Sequence, residues 1–114
     1  MCGIVAAICK EGVDAREDVL VGLKTLEYRG YDSAGMAVRH DNDLSIRRKM
    51  GKIENLEKEL ASHALPESNQ VIAHTRWATH GVPADRNAHP HCDDKKDLVI
   101  AHNGIIENYL ELRK

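Results

Sequence analysis

A cysteine at position 2, a His-Thr-Arg-Trp run at 74–77 and an Asn-Gly pair at 103–104 are the residues of this chain best suited to shared chemistry. Loss of Met1, which a residue as small as Cys permits, would give Cys2 a free α-amino group beside its thiol. Such an amine titrates at about 7.7–8.0, so roughly a third of it is neutral near pH 7.5 and able to take a proton. An amine so placed can act as base for its own side-chain nucleophile. The plain alternative is that Cys2 is a small apolar residue opening a strand.

A thiol that attacks a carbonyl needs donors aimed at the developing oxyanion. The Asn103 side-chain NH2 and the Gly104 backbone N–H supply two. Asn-Gly is also the commonest short turn signal, but here it lies between an apparent strand and an apparent helix. Arg76 carries the planar fork that grips a carboxylate with two hydrogen bonds. Beside it stands Trp77, the single Trp of the chain, with Thr75, Thr79 and His80 close by. A surface ion pair, with Trp77 capping the core, is the other reading of this pair. In EYRGYDSAG, residues 27–35, Arg29, Tyr31 and Asp32 flank Gly30; they suit a hydrogen-bonded network behind a site or a structural corner. HPHC at 89–92 offers His89, His91 and Cys92 as metal ligands, yet no second ligand cluster accompanies them, and no metal is expected.

Elements must hold these residues. Gly3 to Cys9 is a short apolar run that fits a buried strand. In VDAREDVLVGLKTLEYRG, Val19, Leu20, Leu23 and Leu26 mark a helix face, Asp14 and Glu17 resemble a capping box, and Gly30 suits the helix end. GMAVRH and LSIRRKM flank Asp41-Asn42-Asp43 as a hairpin. Arg47-Arg48-Lys49 reads as its solvated edge. Ile53, Leu56 and Leu60 predict a second helix that ends before Pro66. QVIAH and DLVIAH read as two further buried strands, each ending in a His followed by polar residues that can face a shared site. The long loop between them is of the kind that carries function. A third helix is expected to begin in IIENYLELRK.

The 114 residues fit one small domain, with 42% hydrophobic and 30% charged residues indicating a folded, soluble chain. Aromatics make up only 4%, so the core must be aliphatic. A net charge of −2 excludes a broad nucleic-acid footprint. Three widely spaced cysteines are no disulfide framework, and with neither a secretory leader nor a membrane-length apolar run, a reducing cytoplasmic setting is expected.

Taken in order, MCGIV, LEYRGYDSAG, GK, AHTRWATHG, NAHPH and HNGIIENY run from end to end of the chain. Together they resemble the glutaminase domains of the glutamine–fructose-6-phosphate aminotransferase family, which are class II glutamine amidotransferases of the N-terminal-nucleophile superfamily. The resemblance implies an α/β (α+β) fold, the αββα sandwich, present here as about the N-terminal half, so that 1–114 is a partial glutaminase domain without the sugar-phosphate isomerase domains. It implies Cys2 as nucleophile after loss of Met1 and Asn103 and Gly104 as oxyanion hole. Arg76 would bind the substrate α-carboxylate, with Trp77, Thr79 and His80 lining the site. Arg29, Tyr31 and Asp32 would support the nucleophile region. L-glutamine would be hydrolysed through a γ-glutamyl thioester without a cofactor. In the full-length enzyme, expected as a homodimer, the ammonia would convert fructose 6-phosphate to glucosamine 6-phosphate. Neither nucleic acid nor membrane is an expected partner. Ala6 replaces the Gly usual after CGIV, a tolerable extra methyl. An inactive fragment or a glutamine-binding module without catalysis would carry the same motifs.

A half-built sandwich leaves sheet edges and apolar faces open. The 114-residue chain alone is therefore expected to associate or to melt without cooperativity. Size-exclusion chromatography and a thermal melt check this, and a cooperatively melting monomer is the opposite outcome.

Overall fold

The computed structural model describes residues 2–77 and 81–114. Four strands form one antiparallel sheet: β1 (Gly3–Ile8), β2 (Ser33–His40), β3 (Asp43–Met50) and β4 (Gln70–Arg76), in the spatial order β1-β4-β2-β3. Helices α1 (Arg16–Thr25) and α2 (Ile53–Ser62) cover one face. Strand alternation divides the work between the faces. Ala34, Met36 and Val38 of β2 and Val71 and Ala73 of β4 turn towards Val19 and Leu23 of α1 and Ile53 and Leu56 of α2. Fully burying a side chain of this kind contributes about 1.5–3 kcal/mol, so this aliphatic layer is the main source of stability. The alternate positions of β1, Ile4, Ala6 and Ile8, face away and are exposed.

The β2–β3 hairpin turns where the sequence places it, with His40 paired to Asp43 and Asp41 at a φ of 53°. β3 is an edge strand, and Lys49 lies 3.9 Å from Glu59 and 3.7 Å from Asp85. Arg48 departs from the solvated-edge expectation: its Nη1 lies 3.3 Å from Nδ1 of His91.

Three other expectations give way. Asp14 does not cap α1 through a capping box: Ala15 holds that position without a side-chain bond. The Asp14 carboxylate instead accepts from Arg16 N at 3.2 Å, Arg16 Nε at 3.0 Å and Ser68 N at 3.2 Å, tying the helix start to the approach to β4. The Arg16 hydrogen bond, the largest effect, holds this carboxyl below its usual range. Gly30 does not end α1, which stops at Thr25 and is followed by a 3-10 turn over Glu27–Arg29. Gly30 is extended at a φ of −174°, and a Cβ there would stand 2.5 Å from the Arg76 carbonyl carbon. It is a contact glycine, needed for the corner to lie against the end of β4.

The second VIAH run is not a central strand. Only Val99–Ile100 (β6) is extended, paired with His91–Cys92 (β5) in a two-stranded ribbon. Its neighbour is local because the Asp93 carboxylate accepts from Asp97 N at 2.8 Å and Leu98 N at 2.9 Å, closing a turn that returns the chain onto β5. The third helix is the single turn α3 (Tyr109–Leu112). Among the described residues no helix is long and apolar enough to cross a membrane.

The loop before β5 lies against the sheet at Gly35, where a Cβ would stand 2.0 Å from the His89 carbonyl oxygen. Gly35→Ala is expected to push residues 85–92 off the sheet and to destabilise the fold by about 1–3 kcal/mol, the usual scale of overpacking, read as a lowered denaturation midpoint of the protein expressed from its complete gene.

Candidate active site

Cys2 immediately precedes β1, and β1 pairs with β4 from Gly3↔Thr75 to Ile8↔Gln70. This pairing sets Cys2 beside the Arg76-Trp77 end of β4. Trp77 N–H donates to Cys2 Sγ at 3.4 Å, and Sγ lies 3.8 Å from the Trp77 carbonyl oxygen. The Cys2 carbonyl oxygen accepts from Arg29 Nε at 3.3 Å and from Asn103 Nδ2 at 3.1 Å. Residues about a hundred positions apart in sequence thus meet on one peptide group.

A cavity of about 330 Å³ opens here. Cys2, Arg76, Trp77 and Gly104 line it, with Ile105 and Ile106 as an apolar wall. Arg76 is 7% exposed and its guanidinium donates to the Val82 carbonyl at 3.3 Å and the Gly81 carbonyl at 3.4 Å. Trp77 is half exposed and meets Tyr31 edge to face, with ring centroids 5.1 Å apart. Asp32 lies behind this rim: its N–H donates to the Arg76 carbonyl at 3.1 Å, and Ser33 Oγ donates to its carboxylate at 3.0 Å. Thr79 and His80 lie outside the described residues.

Four further residues belong to this neighbourhood. His89, His91 and His102 line the cavity, and His74 lies buried beneath it. His74 and His89 stack with centroids 4.4 Å apart, and His91 sits 4.4 Å from His89. Among the described residues no group of three or more His, Cys, Asp or Glu side chains is placed to hold a metal. The imidazoles form a neutral wall instead. Burial is the first cause for all three: it lowers His74, against the opposing Asn103 hydrogen bond, lowers His91 together with Arg48 and Arg76, and pushes His89 down to about 3 together with the neighbouring imidazoles and Arg76. From residue type alone, the HPHC run reads as a metal motif, and as NAHPH it is one of the segments that carry the family resemblance. Its actual signal is the pair of strand-end histidines, His74 and His102, whose shared destination it fills.

A sequence profile described as glutamine amidotransferases class-II matches residues 34–114. The chain belongs to the class-II glutamine amidotransferases. Among individual relatives, a glutamine–fructose-6-phosphate aminotransferase (isomerizing) of Streptomyces coelicolor is 53% identical over 113 residues, covering 99% of this chain and 18% of that protein. One from Pyrococcus horikoshii is 52% identical over 115 residues, covering 100% of this chain and 19% of that protein. The chain therefore spans about a fifth of the length of the curated relatives it matches. A solved glutamine phosphoribosylpyrophosphate amidotransferase from B. subtilis, complexed with ADP and GMP, superposes with a TM-score of 0.78 at 22% identity, over 99% of this chain and 24% of that one. That likeness establishes the fold. The mixed α/β amidotransferase architecture expected from the sequence is the one observed.

The histidine wall makes stability depend on pH in a definite direction. Unfolded histidine titrates near 6.5, whereas folded His89, against His74, His91, His102 and Arg76, titrates at about 3. Between those values the unfolded chain binds more protons, so the contribution is complete above about pH 6.5 and is lost as pH falls towards about 3. In the protein expressed from its complete gene, denaturation midpoints measured from pH 7.5 down to 4.5 are expected to fall, and His89→Gln should flatten that slope by about one proton's worth.

Proposed function

We propose that this class-II amidotransferase chain hydrolyses L-glutamine, with Cys2 as the nucleophile once Met1 has been removed. The observation that carries this reading is the 3.1 Å hydrogen bond from Asn103 to the carbonyl of Cys2, a residue that lines one cavity with Arg76 and Gly104. A nucleophile, an amide donor and a carboxylate grip converge there from three distant segments.

Each group has one task. The freed α-amino group of Cys2 takes the thiol proton, and the sulfur attacks the side-chain amide carbon of glutamine. The C=O electrons move onto oxygen, where the Asn103 side-chain N–H and the Gly104 backbone N–H stabilise the anion. The carbonyl reforms as the C–N bond breaks, the amine proton passes to the leaving nitrogen, and ammonia departs to leave a γ-glutamyl thioester. Water then attacks the thioester carbon, releasing glutamate and the thiol. Arg76 holds the substrate α-carboxylate, with Trp77 lining the site. Arg29 fixes the Cys2 peptide, while Tyr31 and Asp32 brace the rim. Thiol acyl transfer of this kind requires no cofactor and no metal.

The relatives are named for amino transfer to fructose 6-phosphate, and we assign the same destination to the ammonia: glucosamine 6-phosphate, formed by sugar-handling parts of a longer homodimeric, cytoplasmic protein. Residues 1–114 are then part of its glutaminase domain.

Glutamate release from glutamine is expected to vanish in Cys2→Ala, along with covalent labelling by a diazo-ketone glutamine analogue. Intact-mass measurement should find the labelled chain without Met1. Arg76→Ala should raise KM for glutamine by about ten- to a hundredfold, the scale of losing a charge-assisted hydrogen-bond pair, with a smaller change in kcat. Glutamine turnover that survives Cys2→Ala would exclude this assignment.

A further inference from the structure

We infer that buried His74 is a positioning residue that sets the orientation of the Asn103 amide, leaving one Asn103 N–H free for the oxyanion. The inference rests on the glutamine-hydrolysing role proposed for the site.

His74 Nε2 lies 2.8 Å from Asn103 Oδ1, while Asn103 Nδ2 lies 3.1 Å from the Cys2 carbonyl oxygen. A carbonyl oxygen only accepts, so the group facing Cys2 must be the NH2. Rotating the amide by half a turn would set two acceptors against each other across that gap. Oδ1 must therefore face His74, and His74 must carry its proton on Nε2. The other ring nitrogen agrees: Nδ1 is buried and has no hydrogen-bond partner among the described residues. A proton there would be a donor sealed away from any acceptor, at a cost of roughly 1–3 kcal/mol. Burial also keeps the ring neutral by lowering its pKa, against the Asn103 bond that opposes the shift.

Of the two Asn103 N–H bonds, the Cys2 carbonyl uses one, and His74 occupies the carbonyl end of the amide. The second N–H remains, in a fixed direction, beside the sulfur-bearing residue. His74 is 0% exposed, so it cannot touch substrate. It acts only through Asn103. Its ring is itself held by β4 on one side and by the stacked His89 ring on the other. Support on a central strand gives the amide less freedom than a loop residue would otherwise have.

The test measures glutamate release by the protein expressed from its complete gene, with the Asn103→Ala variant as the reference for an empty oxyanion hole. His74→Leu is expected to lower kcat by about ten- to a hundredfold with KM for glutamine within about twofold, somewhat less than the loss of a whole oxyanion donor. His74→Gln, whose terminal amide can donate from nearly the same place, should recover most of that loss. His74→Asn, one carbon shorter, should not. Combined with Asn103→Ala, His74→Leu should cost nothing further, because the group it orients is gone.

Two results overturn the inference: losses that multiply in the double variant, or equal kcat for His74→Gln and His74→Asn. The second comparison decides the matter even if His74→Leu does not fold. Failure of the underlying functional reading looks different, since glutamate release would then persist in Cys2→Ala whatever occupies position 74.

Discussion

The antiparallel pairing of β1 with β4 is the contact on which the site depends. Chain ends fray unless something ties them down. Here six residues from Gly3 to Ile8 are held in register along a strand that is itself flanked by β2. The register brings Cys2 level with Arg76 and Trp77, and a slip of one residue would turn its side chain to the other face. Arg29 and Asn103 then fasten the Cys2 carbonyl from two sides. A thiol at the second residue thereby gains the positional definition usually found inside a domain.

The sheet separates stability from chemistry. Odd-numbered positions of β1 and even-numbered positions of β2 serve the helical layer, where Leu23 and Leu56 are fully buried. The opposite alternation on β4 delivers His74 and Arg76 to the other side. Close approach there requires two glycines. Gly30 allows the 3-10 corner to meet the end of β4, and Gly35 allows the His89 carbonyl to rest on β2. Neither position has room for a methyl group, so packing across these two contacts determines the spacing between rim and cavity floor.

The histidine wall adds an electrostatic condition. Neutral, stacked imidazoles lower the polarity under the cavity without adding charge beside Cys2. Burial keeps the rings unprotonated, and the nearby Arg76 acts in the same direction. In such surroundings a fixed N–H dipole would act more strongly on the oxyanion of the proposed reaction than it would in water. The tautomer of His74 and the direction of the Asn103 amide are parts of one arrangement.

Much of this was legible in the sequence. Period-two and period-3.6 apolar patterns gave β1, the β2–β3 hairpin, α1, α2 and β4, because burial on one face imposes those periods locally. Residue type alone nominated Cys2, Arg76, Trp77, Asn103 and Gly104, since few side chains can supply a nucleophile, a carboxylate fork and an amide donor. What the sequence could not assign were contacts between distant segments. Asp14 looked like a cap and proved to be a tie to Arg16 and Ser68. Gly30 looked like a helix stop and proved to be a point of close approach. The two VIAH runs have the same four letters, yet one is a central strand and the other a two-residue ribbon, because pairing depends on which neighbour is in reach. His89 and His91 looked like idle metal ligands until the fold stacked one on His74 and set the other beside it. Local chemistry fixed which residues could act; only tertiary structure decided which atoms face one another, because hydrogen-bond direction and burial are properties of the assembled neighbours.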